Sequence, residues 1–405
     1  MRVLIIGINY SPEPTGIGPY TAGLAQHLAA RGDEVTVLTG LPSYPGWRLM
    51  RGTPRRLLTT ERLGGVTVLR VAHYIPATQS AMKRALYEGT FGLTGLLASL
   101  RLRPPDAILG VVPSLSGGIL ARLTGQRLGA PYGLLFQDLM GPAAQQSGIE
   151  GGGSVGRATG AAEAWAAAGA RAIGVVAETF TPYVASLGVP AERINHVPNW
   201  VRVARVSLSP AETRRRFGWP DDRQVVLHAG NMGLKQGLEQ VVEAARLAAE
   251  RDEPIRFVLA GGGSQAAALR AMAAGLPTLA FLPVQQDGLH ASLLAAADVL
   301  LLSERATQLD MSLPSKLTSY FAAGRPIVAA VPPAGASARE VKRADSGLTV
   351  AAGNPGAILD ALASLRSDEA LTARLAAAGP RYAEAHLGAA ACLAQAAALV
   401  DMIAA

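Results

Sequence analysis

Between Tyr10 and Tyr20 the chain reads YSPEPTGIGPY, which sets Gly16 and Gly18 among prolines just behind the aliphatic run Val3–Ile6. So much bent, bare backbone is what close approach of a ligand to main-chain groups requires. An ordinary Pro/Gly turn into a helix is the competing reading. Absences narrow the chemistry. The stretch is not a G-x-G-x-x-G opening a helix, there is no G-x-x-x-x-G-K-[ST], and no Asp-x-Asp triplet offers a divalent-ion site. His27, His73, His196, His228, His290 and His386 show no paired spacing, so no metal site is expected. Cys392 is the sole cysteine, which excludes intrachain disulfides and cysteine zinc sites. Lys+Arg of 37 against Asp+Glu of 30 gives +7. That surplus suits an anionic ligand or surface, but no Lys/Arg block with interleaved aromatics points to nucleic acid.

The elements that must hold such a turn alternate. RVLIIGI reads as a buried parallel strand, GPYTAGLAQHLAARG as a helix stopped by Gly32, and EVTVLTG as the next strand. VTVLRV, AILGVVP, PYGLLFQD and AIGVVAE continue the series. After a junction near Val197–Ser209 the chain starts again with QVVLHAGNMG. The helix GLEQVVEAARLAAE, strands IRFVLAGGG and TLAFLPV, helix LHASLLAAA, strand DVLLLSE, helix SKLTSYFAAG and strand PIVAAVPP follow. Residues 357–405 are Ala-rich and read as helical. With 405 residues, 49% of them hydrophobic, two doubly wound α/β domains are expected. Ligands of such sheets sit beyond the carboxyl ends of the strands, where Tyr10–Tyr20 lies. The opening apolar run is too short for a signal peptide and no uninterrupted apolar stretch spans a bilayer, so a cytoplasmic protein is expected.

GINYSPEPTGIGPYTAGLAQHLAARGDEVTVLTGLPSYPGW resembles the opening of the family-four retaining glycosyltransferases of GT-B fold, in particular the WcaI/WbuB-like branch of colanic-acid and exopolysaccharide biosynthesis. PNWV, HAGNMGLKQGLEQVVEAA, FVLAGGG, LLAAADVLLL and LPSKLTSYFAAGRPIVA occur in that branch's order, over nearly the whole chain to about Val350. The resemblance implies two Rossmann-like domains whose parallel sheets face each other across a cleft. It divides them as an acceptor-side domain over 1–198, a nucleotide-sugar domain over 199–380 and a last helix over 381–405, which would pack back on the first domain.

It also implies a donor of UDP- or GDP-sugar type, no cofactor and no metal. Gly16 and Gly18 would let backbone approach the diphosphate and the transferred sugar; Gly230, Asn231 and Gly233 would line the donor turn. Pro283, Val284 and Gln285 would border the base, and Pro314, Ser315, Lys316, Leu317 and Arg325 the phosphates. The family's Arg and Lys in the second domain's first turn fall here on Asn231 and Gln236, both neutral, with Lys235 one residue away. Its Glu–seven residues–Glu signature falls on Met311 and Ser319. The cations left for a departing diphosphate are Lys316, Lys235 and Arg325, and Lys316 opens a predicted helix. A solvated surface lysine is the competing reading there. Asp138, in FQDLMG, is the third catalytic candidate, with a helix cap as the alternative. Glu13, Tyr44 and Gln137 are acceptor-side candidates.

The expected function is transfer of a sugar, with retention and without metal, to a hydroxyl of a saccharide or lipid-linked saccharide in cell-surface polysaccharide assembly. A GT-B nucleotide-sugar epimerase or hydrolase, or a non-catalytic partner subunit, stands as the alternative. AMKRALYEGTFGLTGLLASLRLR sets Met82, Leu86, Leu93, Leu97 and Leu100 on one helical face with Lys83, Arg84, Arg101 and Arg103 at its ends. Such a helix fits either an anionic membrane, in peripheral contact, or a domain core.

Overall fold

A computed structural model describes residues 1–77, 80–141, 152–202, 205–307 and 314–405. Met311, one of the two signature positions, lies outside them. The chain forms two units: one of Met1–Trp200 with Ala390–Ala405, the other of Val201–Leu309 with Leu313–Ala389. The change-over at Trp200 follows PNW, and the carboxyl-terminal return begins at Ala390, later than the expected 381.

In the first unit, β1 (Arg2–Ile6), β2 (Glu34–Gly40), β3 (Leu58–Leu63), β4 (Val66–Val71), β5 (Ala107–Val112), β6 (Tyr132–Phe136), β7 (Ile173–Val175) and β8 (Ile194–His196) form one sheet. Their order is β3-β4-β2-β1-β5-β6-β7-β8. All neighbours pair in parallel except β3 with β4, a hairpin at the sheet edge. β3 reads LTTERL, polar and partly exposed, which suits an edge strand and hides it from a search for apolar runs. By contrast, every residue of β5 is buried, because helices cover both sheet faces. α1 (Gly18–Ala30), α2 (Ala81–Ser99) and α3 (Leu115–Leu128) belong to these layers. Glycine permits the close approach of the last helix, Ala389–Ala404: a Cβ on Gly133 or Gly174 would overlap Ile403 or Leu399. Arg31 on the end of α1 clasps Asp401 through two hydrogen bonds of 2.9 Å.

The second sheet runs β11-β10-β9-β12-β13-β14, all parallel. Its strands are β9 (Gln224–Asn231), β10 (Ile255–Gly262), β11 (Leu279–Leu282), β12 (Val299–Ser303), β13 (Ile327–Val331) and β14 (Gly347–Ala351). One face packs Val226, Phe257 and Leu301 against Val241, Ala245 and Leu362; the other packs Leu227, Leu300 and Ala329 against Leu293, Leu317 and Phe321. The stretch Glu369–Ala404 is long and apolar enough to cross a membrane. Gly388 divides it: Tyr382 and Leu387 are buried in the second unit's core, while Leu399, Val400 and Ile403 are buried in the first. These are core helices of two globular units.

In each sheet the strand order reverses beside the unit's first strand, between β1 and β5 and between β9 and β12. Crevices form at the carboxyl ends of strands at such switch points. The two places to look for chemistry are therefore the turns after β1 and β5, and those after β9 and β12.

Candidate active site

At the first unit's switch point the YSPEPTGIGPY turn closes on itself. The Glu13 carboxylate, 2% exposed, accepts the backbone N–H groups of Ser43 and Tyr44 at 2.8 and 2.9 Å and the Asn9 amide at 2.9 Å. Burial pushes this carboxyl up from its ordinary range, against the pull of those bonds and the Arg70 charge. Arg70, itself buried, donates to the Ser11 carbonyl and to Glu61. Gly16 adopts φ +72°, and a Cβ there would stand 3.1 Å from the Tyr44 ring. A Cβ on Gly18 would stand 3.3 Å from the Tyr10 carbonyl. The glycines are thus required by the turn's own packing.

Aromatic rings gather on this edge. Tyr44 meets Trp47 edge-on, Trp47 meets Tyr87 of α2, and Tyr87 meets His73. The Arg84 guanidinium lies 5.3 and 5.2 Å from the centroids of Trp47 and Tyr87. One Glu88 oxygen accepts the hydroxyls of Ser114 and Ser116 after β5. Asp138, past the end of β6, is close enough that its charge raises the Tyr44 phenol, after burial, the larger cause. Gln137 instead turns into the domain, where its side-chain oxygen accepts the Asn199 amide at 2.7 Å. It is only 5% exposed, and its contact is to the PNW segment rather than to a ligand edge.

The second unit's switch point is built around a cation. Gly230, next to last in β9, has φ +142°, and Gly261, next to last in β10, and Gly263, just past it, have +144° and +153°, conformations that side chains rarely adopt. A Cβ on Gly230 would stand 3.3 Å from Lys316 Nζ. Lys316 opens the helix Lys316–Ala322, which Tyr320 ties to β9 by accepting the Ala229 N–H at 2.9 Å. The Lys316 ammonium donates to His228 Nε2 at 3.2 Å. Burial draws Lys316 down to about 7, opposed by the negative charge of Glu304. Glu304 sits at the end of β12, only 5% exposed, and accepts the Ser337 hydroxyl at 2.7 Å. Burial pushes it up to about 7 against that bond and the charges of Lys316 and Lys235. Gln240 braces the edge, donating to Ser303 Oγ and to the Glu304 carbonyl.

The other predicted donor residues divide. Asn231 ends β9, Gly233 and Lys235 follow it, and Pro283, Val284 and Gln285 follow β11, so all lie on the carboxyl edge. Val284 is 70% exposed and borders Gly262, where a Cβ would meet it at 3.5 Å. Gln236 is occupied in accepting the Gly233 N–H, which shapes the turn. Pro314 and Ser315 lead into the helix, but the Leu317 side chain is buried in the core, leaving only its backbone for a ligand. Arg325 needs correction: it precedes β13 at the opposite edge of the sheet and donates to the Ala295 carbonyl. The helix that begins at Lys316 carries the chain away from the site before Arg325 is reached. Sequence reasoning passed over Glu304 and Glu88, counted His228 only among scattered histidines, and gave Arg84 to the lipid-facing helix rather than to the ring cluster where it lies. A histidine inside VVLHAG and a glutamate closing DVLLLSE were the available signals, each a charged or polar residue in an apolar strand context.

The chain matches the family model "Glycosyl transferase 4-like domain" over residues 15–200 and "Glycosyl transferases group 1" over 223–368. It is 36% identical over 336 residues to the putative colanic acid biosynthesis glycosyl transferase WcaI of Escherichia coli K12, covering 80% of this chain and 82% of the relative. In structure it resembles the sucrose-phosphate synthase of Thermosynechococcus elongatus, with a TM-score of 0.78, 17% identity, and coverage of 100% of this chain and 99% of that one. It also resembles HepE of Anabaena in complex with UDP, with a TM-score of 0.71, 14% identity, and coverage of 99% and 100%. The glycosyltransferase WaaG, of lipopolysaccharide biosynthesis, has a TM-score of 0.69 at 17% identity over 98% of this chain and 99% of its own.

Proposed function

The chain belongs to the glycosyltransferase family whose 4-like and group 1 domains span it, in the GT-B fold of two parallel-sheet α/β domains, and from that premise we propose a retaining, metal-independent transfer from a nucleoside-diphosphate sugar to a saccharide or lipid-linked hydroxyl. The observation that carries the reading is the Lys316 ammonium standing over the bare backbone of Gly230 at the second sheet's switch point. As the glycosidic bond breaks, negative charge grows on the leaving diphosphate. A cation fixed there stabilises that charge more than the ground state, which lowers the barrier. The acceptor hydroxyl attacks from the face the diphosphate leaves, and a phosphate oxygen takes its proton, so no protein base is needed. HepE with bound UDP-glucose supports the donor class, and the WcaI relative, a putative colanic acid biosynthesis glycosyl transferase, supports a role in polysaccharide biosynthesis.

The test is a panel of UDP-, GDP- and dTDP-sugars assayed with excess EDTA, with the anomeric configuration of the product read by NMR. Turnover unchanged by EDTA and a retained anomer support the proposal. Inversion, loss of turnover on chelation, or release of free sugar alone whatever the acceptor would each defeat it.

Peripheral membrane contact belongs to the same proposal. On α2, Met82, Leu86, Leu93 and Leu97, with Leu100 just past its end, are between 50% and 76% exposed, so the stripe is not core packing. Arg84 turns inward onto Trp47 and Tyr87, and Arg101 and Arg103 at the far end of the helix are the cations offered to lipid phosphates. Leu93→Glu with Leu97→Glu should abolish sedimentation with anionic vesicles; unchanged sedimentation would remove this part.

A further inference from the structure

His228 is fully buried in the middle of a central parallel strand, where an aliphatic side chain would pack at less cost. Its Nδ1 lies 3.2 Å from the Leu301 carbonyl of β12, and a carbonyl can only accept. Nδ1 therefore carries the proton. Burial, and then the Lys316 charge, hold the ring well below the usual histidine range, so the imidazole is neutral and Nε2 keeps a lone pair. That lone pair faces the Lys316 ammonium at 3.2 Å, which is the hydrogen bond Lys316 makes among the described residues. Two ammonium N–H groups are left for a ligand. The charged and polar groups around the pair are Glu304 from the end of β12, Lys235 from the turn after β9, and the Asn231 backbone.

We propose that His228 is the positioning residue for Lys316: the Leu301 carbonyl fixes its tautomer, and its Nε2 holds the ammonium over Gly230, where the donor's diphosphate meets it. This rests on the reading of Lys316 given above. A four-carbon side chain has many rotamers, and a cation must stand within a fraction of an ångström of its place to act on developing charge. The hydrogen bond from a tautomer locked in the sheet supplies that constraint. It also favours the charged amine in a site whose burial disfavours it.

Removing the acceptor while keeping the volume should leave a mobile, more readily deprotonated lysine. His228→Leu should lower kcat by about tenfold with a smaller change in donor KM. The alkaline limb of its pH profile should move to lower pH. His228→Gln, which offers an amide oxygen at the place of Nε2, should recover most of both. In the Lys316→Ala background, His228→Leu should cost less than twofold. An equal cost in both backgrounds, or an unshifted alkaline limb, would mean that the ring only packs and would overturn the proposal. If Lys316→Ala is itself fully active, the donor reading fails first, and the failure is distinguishable on that ground. Should His228→Leu not fold, NMR of ¹⁵N-histidine in the native protein decides: a proton on Nδ1 and an Nε2 signal shifted by Lys316→Met support it, and a proton on Nε2 sinks it.

Discussion

At the end of β1, Gly16 leaves room for the Tyr44 ring 3.1 Å away; at the end of β9, Gly230 leaves room for the Lys316 amine 3.3 Å away. Both edges are switch points of doubly wound sheets and both turns need glycine, yet they hold different things. The first edge consumes its charges: Glu13 takes three hydrogen bonds, Arg70 is shared between Ser11 and Glu61, and Arg84 is stacked on rings. What gathers there is a cluster of rings, with Tyr87 buried and Tyr44 and Trp47 half-buried. The second edge leaves an ammonium with open N–H groups beside a buried carboxyl. Glycine-rich turns at equivalent places in two similar sheets are therefore no guide to ligand charge; the side chain that fills the space above the glycine is.

If the charge chemistry is confined to the second edge, Lys316→Ala should lower kcat by roughly 10²–10³ with a smaller effect on donor KM. Steady-state kinetics on folded variant measures it, and Lys316→Arg should recover only part, because a planar guanidinium fills the space differently. The first edge should respond in stability instead. Glu13→Ala strands the Ser43, Tyr44 and Asn9 donors and should cost about 3 kcal/mol, read from urea unfolding midpoints at unchanged slope. A large loss of kcat with no loss of stability would mean that Glu13 meets substrate, and the contrast between the edges would break.

Glu304 sharpens the contrast through pH. Its carboxyl is raised from 4.5 to about 7, so across that interval the native state keeps a proton that the unfolded chain has released. Native protein then binds more protons, and stability falls as pH rises from about 4.5 to about 7. Lys316, drawn down from 10.5 to about 7, gives the opposite slope above that pH. Thermal melts across the acidic interval should show the wild type losing stability relative to Glu304→Gln, and parallel curves would refute the buried neutral acid. The smallest effect belongs to Arg325→Gln. Bound to Ala295 at the far edge of the sheet, it should leave kcat and donor KM within about twofold of wild type.

Short-range chemistry made much of this legible in the chain itself. Aliphatic runs such as AILGVV and VLLLS are buried strands because a parallel sheet covered on both faces tolerates little else, and they alternate with helices as read. β3 escaped because an edge strand pairs through its backbone and needs no apolar signature. The family, the position of Lys316 at a helix start and the exposed stripe on α2 were likewise carried by local order and spacing. Proximity across the sheet was not. His228 and Lys316 are 88 residues apart and meet only because β9 lies beside β12 and Tyr320 draws the intervening helix back onto β9. Arg325 shows the converse: nine residues beyond Lys316, it is carried to the other edge by one short helix. Strand order fixes which distant residues share an edge, and strand order is settled by the packing of whole layers, a property that no single segment of the chain contains.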